Sequence, residues 1–483
     1  MKNVTIVGGG TAGYVTALIL KTRFRSFDIN VIKSDKIGII GVGEGTTEHW
    51  SIFMDYVGID WKELIKETDA TGKGGVLFNG WKEEPYMHSI GGLVNLRNHD
   101  ELICYVDLMA NDAPNHHLIM PPIVENKFPK STDESRYNQY HFNTHKLNTF
   151  LEKKCKEADI NIIIDEITEV ETDDDGITKL IGSKLKSYTA DFYIDCTGFR
   201  RVLISKLGAE WVSNSKYLKM KEAIAFPTPD TDDYANYTLA QAMKYGWMWR
   251  IPTYGRWGNG YIFDSDYIDA DQAKKEVEEF LGHEIEVGKH IKFTPGKLKE
   301  TWIKNCLATG LSANFIEPLE ATSIGTTIRQ AFLLLNYLEN YSKYDIIDYN
   351  HKINKVMDNV LEFVALHYIT DRDDTEFWKS LKDIDIPPTL SEKLRKWETR
   401  IPFVEDFVDT SYHLFGDSNF TQVLYGLKLV NKEMIKQKYN NLTDEQKEHL
   451  KQSIELYWDE MAELTSEYYT HKEWLTKVRS END

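Results

Sequence analysis

The run Gly8-Gly9-Gly10-Thr11-Ala12-Gly13 constrains the fold more than any other segment of this chain. It follows Val4 to Val7, which reads as a short buried strand. It opens a helical stretch carrying Ala17, Leu18 and Leu20 that ends near Phe24, and Asn30 to Ile32 reads as a second strand. This order, β–turn–α–β, is the opening of a doubly wound sheet. The six residues fit GxGxxG. Gly8 allows the tight turn, Gly10 lets the backbone approach a pyrophosphate, and Gly13 permits close helix–strand packing. The amides at the helix N-terminus, around Thr11 and Ala12, favour the negative phosphates. A lone GxGxxG is a weak signal. This one follows a strand and opens a helix, so it is read as a nucleotide-binding turn.

One position departs from that pattern. The second strand of such a unit usually ends on an Asp or Glu that takes the ribose hydroxyls. Here Ile32 is followed by Lys33, Ser34 and Asp35. Ribose recognition is expected to shift to Ser34 or Asp35, and Lys33 leaves open an extra phosphate, as in NADP.

A chain of 483 residues, 41% of them hydrophobic, is expected to form two or more domain-sized regions with a large interior. The formal charge of −19, with no long Lys/Arg run, argues against nucleic acid as a partner. Cys104, Cys155, Cys196 and Cys306 have no CxxC spacing, so neither a zinc site nor a disulfide framework is indicated, and no metal is expected. The N-terminus lacks a signal-peptide apolar region, and no run of ~20 apolar residues is present. A cytoplasmic, reducing setting with no membrane contact is the expectation.

Further along, Ile160 to Ile164 and Ile167 to Glu171 read as strands of a hairpin-like region, with Asp173-Asp174-Asp175-Gly176 as a turn. Phe192 to Ile194 is another apolar strand. Glu125 to Gln139 and Pro227 to Tyr237 read as loops. From Ile324 onward helical patterns dominate: Ile324 to Tyr341, Tyr349 to Tyr368 and Thr443 to Trp458, with Pro387-Pro388 separating blocks.

Gly246-Trp247-Met248-Trp249-Arg250-Ile251-Pro252 fits the pattern GWxWxIP. With the N-terminal glycine motif, this resembles the flavin-dependent halogenases of the tryptophan-halogenase family. Segments 40–46, 194–200, 258–261, 315–323 and 367–378 are similar to the family in the same order, so the resemblance spans residues 1–380. The last hundred residues show no clear match. The resemblance implies an α/β FAD-binding, doubly wound domain with a mostly helical C-terminal substrate subdomain. The boundaries expected are 1–325 for the flavin box, with substrate-site segments inserted at about 80–150, and 326–483 for the helical, pyramid-like part. It also implies that a separate flavin reductase supplies FADH2, and that FADH2, O2 and a halide ion yield hypohalous acid. The oxidant then travels through a tunnel to a lysine beside an aromatic small molecule. Association with further copies of the chain is left open.

Lys73 lies in Thr71-Gly72-Lys73-Gly74-Gly75 and aligns with the family's active-site lysine. An ammonium there would hydrogen-bond to the hypohalous acid, and a neutral amine would attack it to form a haloamine. The second route needs an amine whose proton is disfavoured by burial. Glu320 matches the glutamate that orients the oxidant and accepts the proton lost from the ring. Standing alone, a lysine among glycines reads as an exposed turn, and a glutamate before a helix reads as a partner for the dipole. Trp247 and Trp249, two apart on a strand, would face one side. With Ile251, Pro252 and Pro318 they belong to family motifs near the flavin and tunnel.

Gly43, Glu44, Gly45 and Thr46 resemble the strap between flavin and substrate. Asp195 and Gly198 fall in a second flavin-contacting motif, and Cys196 beside them reads as a buried small residue. His88 aligns with a histidine near the substrate pocket, although a lone histidine is more often structural. The family's halide pattern, Phe-x-x-Pro-x-x-Ser-x-Gly, is met by Phe315 and Pro318 but not by Ala321 and Ser323. Halide would bind the amides of Thr322 and Ser323 at a helix start. The altered pair motivates a preference for bromide or iodide, and equally a competing reading as a flavin monooxygenase that has lost halogenation. A non-enzymatic flavin-binding regulator is a third class, against which the joint presence of Lys73 and Glu320 argues.

Overall fold

Each expected piece of the nucleotide unit forms because its residues alternate between apolar sides and tight turns. In the computed structural model, which describes residues 2–39, 44–89, 101–113, 121–128, 130, 139–231, 234–407 and 413–480, β1 is Asn3–Val7, α1 is Thr11–Arg23 and β2 is Asp28–Lys33. Val4, Ile6, Val15, Ala17, Ile19 and Leu20 are fully buried.

The chain divides into two compact units, residues 1–70, 142–216 and 293–360 in the first, and 71–141, 217–292 and 361–483 in the second. The first is built on a six-stranded sheet in the order Trp302–Ile303, Cys306–Ala308, Phe192–Asp195, β1, β2, Asn161–Ile164. All its pairs are parallel except the first. Read by chain position, its parallel strands run third, second, first, fourth, fifth. The order reverses between β1 and Phe192–Asp195, where such folds open their ligand crevice.

The second unit carries a seven-stranded sheet, ordered Lys289–Lys292, Glu222–Pro229, Arg256–Phe263, Gly246–Thr253, Tyr237–Ala242, Gly75–Asn79, Tyr86–Ser89. Its pairs are antiparallel except that between Tyr237–Ala242 and Gly75–Asn79.

Several expectations need correction. Pro227 does not begin a loop: strand Glu222–Pro229 continues through it. Only residues 222–225 pair with Lys289–Lys292, so Pro227 and Pro229 lie where the strand has one neighbour, a position proline tolerates. The expected loop from Glu125 contains a short strand, Lys127–Phe128, which pairs with Tyr469–Thr470. The Asp173–Gly176 turn joins Ile167–Asp173 to Gly176–Gly182, whereas Asn161–Ile164 lies in the parallel sheet. The three helical runs expected from Ile324 onward correspond to helices Thr322–Leu334, Lys343–His367 and Asp444–Ser466.

The division between the two compact units falls inside helix Lys343–His367. Residues 326–360 stay with the first unit because the Gln330 side-chain amide donates to the Ala308 carbonyl at 3.1 Å. Asn350 also caps the Thr301 and Trp302 amides at 2.9 and 3.0 Å. No helix among the described residues is long and apolar enough to cross a membrane.

Candidate active site

In the first unit the three motif glycines meet three different demands. Gly8 has φ +125°, and a Cβ there would stand 2.2 Å from the Cys196 carbonyl oxygen. A Cβ on Gly13 would stand 2.0 Å from the Gly8 carbonyl oxygen. Both glycines are therefore required by packing inside the protein. Among the described residues, a Cβ on Gly10 would meet nothing within 4 Å, so this glycine leaves space beside the start of α1. Gly10 is also the N-cap of α1, with no side-chain cap and no acidic residue in the first turn, so the amide end is left for an anion. That open cradle fits the pyrophosphate of FAD.

The neighbouring loop is held by Asp195, which is fully buried. One carboxylate oxygen accepts from the Thr197 amide, the Thr197 hydroxyl and the Ser312 hydroxyl at 2.9, 2.7 and 3.1 Å. The other accepts from the Leu203 and Ile204 amides at 2.8 and 2.9 Å. With those lone pairs occupied, Asp195 shapes the loop beside Gly8. Gly198 has φ +66°, and a Cβ there would meet nothing within 4 Å among the described residues. Desolvation pushes the Cys196 thiol well above its ordinary range, consistent with a packing residue.

Lys33 is already paired: its ammonium lies 2.8 Å from Glu152 and 3.5 Å from Asp35. Burial pushes the Glu152 carboxyl up, but hydrogen bonds from Lys156, Lys33 and Tyr14 outweigh it and hold the group at about 2. A second phosphate at Lys33 would have to displace that carboxylate, which weakens the NADP option. Ser34 follows β2, and its hydroxyl oxygen accepts from the Lys36 amide at 3.2 Å. Glu44 and Gly45 form a short strand and Thr46 is fully buried, while Gly43 lies outside the described residues.

The segment carrying Pro318, Glu320, Thr322 and Ser323 also belongs to the first unit. Glu320 and Ala321 both adopt left-handed backbone, φ 65° and 55°, immediately before helix Thr322–Leu334. Two successive non-glycine residues in this region cost on the order of 1 kcal/mol each. The Ala321 amide is used by the Pro318 carbonyl at 3.0 Å. Ala321 is the N-cap and has no side-chain acceptor, so the helix starts without a side-chain cap at the Thr322 and Ser323 amides. Glu320 is 4% exposed. Gly310 lets the turn Gly310–Ser312 approach α1, since a Cβ there would come 2.6 Å from that of Ala12.

In the second unit Lys73 is not on an exposed turn: it is 2% exposed. The residues before it pair antiparallel with 140–141, and its own amide donates to the Gln139 carbonyl at 3.0 Å. The Thr71 hydroxyl donates to the Pro252 carbonyl at 2.6 Å, joining the lysine segment to the GWxWxIP strand. His141 lies 3.4 Å from the Thr71 hydroxyl and 2.9 Å from that of Thr238. Burial, with the charge of Lys73 added, pushes His141 well below its ordinary range.

The GWxWxIP strand and residues 258–261 are the two arms of one hairpin, with Trp249 opposite Gly260 and Ile251 opposite Gly258. A Cβ at 260 would stand 2.1 Å from the Trp249 ring, so the glycine of one motif makes room for the tryptophan of the other. Trp247 and Trp249 have ring centroids 6.1 Å apart, as expected for neighbours on one face. His88 is buried, lies 2.9 Å from the Asn419 amide nitrogen and packs edge-on against Phe363 at 5.0 Å, which matches a packing histidine. His471 and Asn419 were not singled out by sequence. Their only local signal is a polar residue on an otherwise ordinary helix.

The structure thus brings the Gly8–Gly13 turn together with the 195–198 loop, and the lysine segment together with Pro252. Lys73 and Glu320 fall in different units. The family profile described as "Tryptophan halogenase" matches residues 3–448. Tryptophan 6-halogenase SttH of Streptomyces toxytricini is 30% identical, the match covering 88% of each chain. Among solved structures, a flavin-dependent halogenase from Xanthomonas campestris superposes with a TM-score of 0.89 at 28% identity, covering 99% of this chain and 98% of its own. A tryptophan C-6 flavin-dependent halogenase from taromycin biosynthesis superposes at 0.92 and 27%, covering 99% and 100%. With the glycine cradle and the paired GWxWxIP hairpin in place, the chain belongs to the tryptophan-halogenase family of flavin-dependent enzymes.

Proposed function

We propose that this protein halogenates an electron-rich aromatic ring of the indole or phenol type, using reductase-supplied FADH2, O2 and halide, with Lys73 and Glu320 as its catalytic pair. The observation that carries this reading is the burial of Lys73 on a segment anchored to Pro252 of the GWxWxIP strand. An ordinary Gly-rich turn would leave a lysine in water. The name of the Streptomyces relative makes an indole the first ring to test.

The Gly8–Gly13 turn, Ser34, the strap from Gly43 through Glu44 and Gly45 to Thr46, and the 195–198 loop hold the cofactor. Reduced FAD, when bound, would supply two of the four electrons that reduce O2, the halide giving the other two, so that hypohalous acid and water result. The amides of Thr322 and Ser323 hold the halide at an uncapped helix start. Ser323 in place of glycine favours bromide or iodide over chloride. Trp247 and Trp249 keep the substrate from the cofactor, and Ile251, Pro252 and Pro318 are the motif residues that accompany them. Residues 1–325 form the flavin box, with substrate-site segments inserted at about 80–150 that carry His88, and the helical region from 326 shapes the substrate side. Lys73 acts on hypohalous acid in one of two ways. Its ammonium donates a hydrogen bond that draws charge from the halogen, or its free amine takes the halogen to give a haloamine and water. Glu320 then accepts the ring proton.

The test is product mass from a panel of indoles and phenols, with each halide and a partner flavin reductase. Halide-dependent mass gain is expected. Hydroxylated product alone would favour the monooxygenase reading, and a clear chloride preference would remove the bromide or iodide proposal. NADH without the reductase is expected not to bleach the bound flavin at a useful rate.

A further inference from the structure

The peptide that presents Lys73 is gripped from the far end of the chain. His471 begins helix His471–Ser480, beyond residue 448 where the match to the family profile ends. It is 1% exposed, and its Nε2 accepts the Gly72 amide at 3.0 Å while its Nδ1 lies 2.8 Å from the Tyr234 carbonyl oxygen. An amide can only donate and a carbonyl can only accept, so the two bonds together require the neutral ring with its proton on Nδ1. Burial, the largest cause, pushes the imidazole down to about 3, which agrees with that state.

The grip is braced on several sides. The His471 ring stacks on Phe128 at 4.2 Å, and Phe128 stacks in turn on Trp474 at 4.5 Å. Gly72 is needed for this fit, since a Cβ there would stand 2.4 Å from the Phe128 ring. The Asn126 side-chain amide donates to the same Tyr234 carbonyl at 2.8 Å, and strand Lys127–Phe128 pairs with Tyr469–Thr470. With Thr71 bound to Pro252 and the Lys73 amide bound to Gln139, the three consecutive residues 71–73 each have an anchor from a different part of the second unit.

We infer that His471 is a positioning residue for the Lys73 amine, its neutral imidazole locking the Thr71–Gly72 peptide one residue before the lysine. The inference rests on the reading of Lys73 as the catalytic amine. A reacting group displaced by about 1 Å loses up to about 100-fold in rate, so the effect belongs on kcat for ring halogenation rather than on substrate KM.

The test uses the full chain with its reductase and three variants. His471→Leu removes both bonds, His471→Asn is short for Gly72, and His471→Gln keeps an acceptor and a donor at the original reach. His471→Leu and His471→Asn are expected to lower kcat by about 10- to 100-fold with KM changed less than about threefold. Halide-dependent release of hypohalous acid should continue at the wild-type rate, so oxidant made per ring halogenated rises. His471→Gln should recover kcat to within about threefold. If His471→Leu does not fold, the Asn and Gln pair decides. Equal rates for that pair, or a wild-type kcat in a folded His471→Leu or His471→Asn protein, would overturn the inference. Lys73→Ala run in parallel separates the two failures: retained halogenation there sinks the lysine reading, whereas its loss beside an unaffected His471→Leu sinks only the present one.

Discussion

The nucleotide turn and the lysine segment are both glycine-rich, and they are built in opposite ways. The turn at Gly8–Gly13 is defined by contacts close in the chain or across adjacent parallel strands: Gly13 against Gly8, and Gly8 against Cys196. The segment 71–75 draws its neighbours from residues 128, 139–141, 252 and 471. The first is a local device whose spacing recurs wherever a phosphate meets a helix start. The second is an assembly whose parts have no fixed spacing. Glycine supplies turn geometry in one, and room for a neighbouring ring in the other.

The contrast breaks most sharply at Lys73. Lys73→Ala is expected to lower halogenation by about 1,000-fold or more while FAD binding, read by flavin fluorescence titration, stays at the wild-type value. Halogenation retained in that variant would mean the second assembly is only structural. Next come the glycines of the turn. Gly8→Ala places a Cβ 2.2 Å from backbone and is expected to cost about 3 kcal/mol or more in the FAD-free protein. Gly10→Ala meets open space, so its FAD-free melting temperature should be unchanged while FAD affinity falls about tenfold. Equal destabilisation by both would show that the cradle is a packing feature and not a ligand seat.

Smaller effects come from pH, and they sharpen the comparison because the two units titrate in different windows. The His471 imidazole is held at about 3 against an ordinary 6.5. Its contribution to stability is present above pH 6.5 and is lost as pH falls toward 3, about 2 kcal/mol by pH 5. Wild type should lose more melting temperature between pH 7 and 5 than His471→Gln, and parallel slopes would contradict the buried neutral ring. The Glu152 carboxyl is held at about 2 by its hydrogen bonds, against an ordinary 4.5. Its contribution is present above pH 4.5 and lost as pH falls through 2. Glu152→Gln is expected to cost roughly 1–2 kcal/mol at pH 7, discounted for its partial exposure, and nothing near pH 2. A cost that persists in acid would point to lost packing instead.

Much of the first unit was legible in the sequence. The alternation of strand, glycine turn and helix is local, so β1, α1 and β2 fall where periodicity puts them. The departure at Lys33 was legible too, but its partner Glu152 was not, since the two meet across the unit. Pro227 misled for a related reason. Its strand has a single neighbour at that point, and strand position is a property of the sheet, not of the residue. The hairpin that pairs Trp249 with Gly260 could be foreseen only as two motifs in order.

By itself, the sequence determined that a phosphate-ready turn opens the chain and that two indoles share one strand face, because both follow from backbone periods of a few residues. Tertiary structure alone decided that Asp195 spends its carboxylate inside the protein, that Lys73 is buried, and that a histidine from the C-terminal helix holds the peptide before it. Those outcomes depend on which distant segments supply a donor, an acceptor or a ring, and no local spacing encodes that choice.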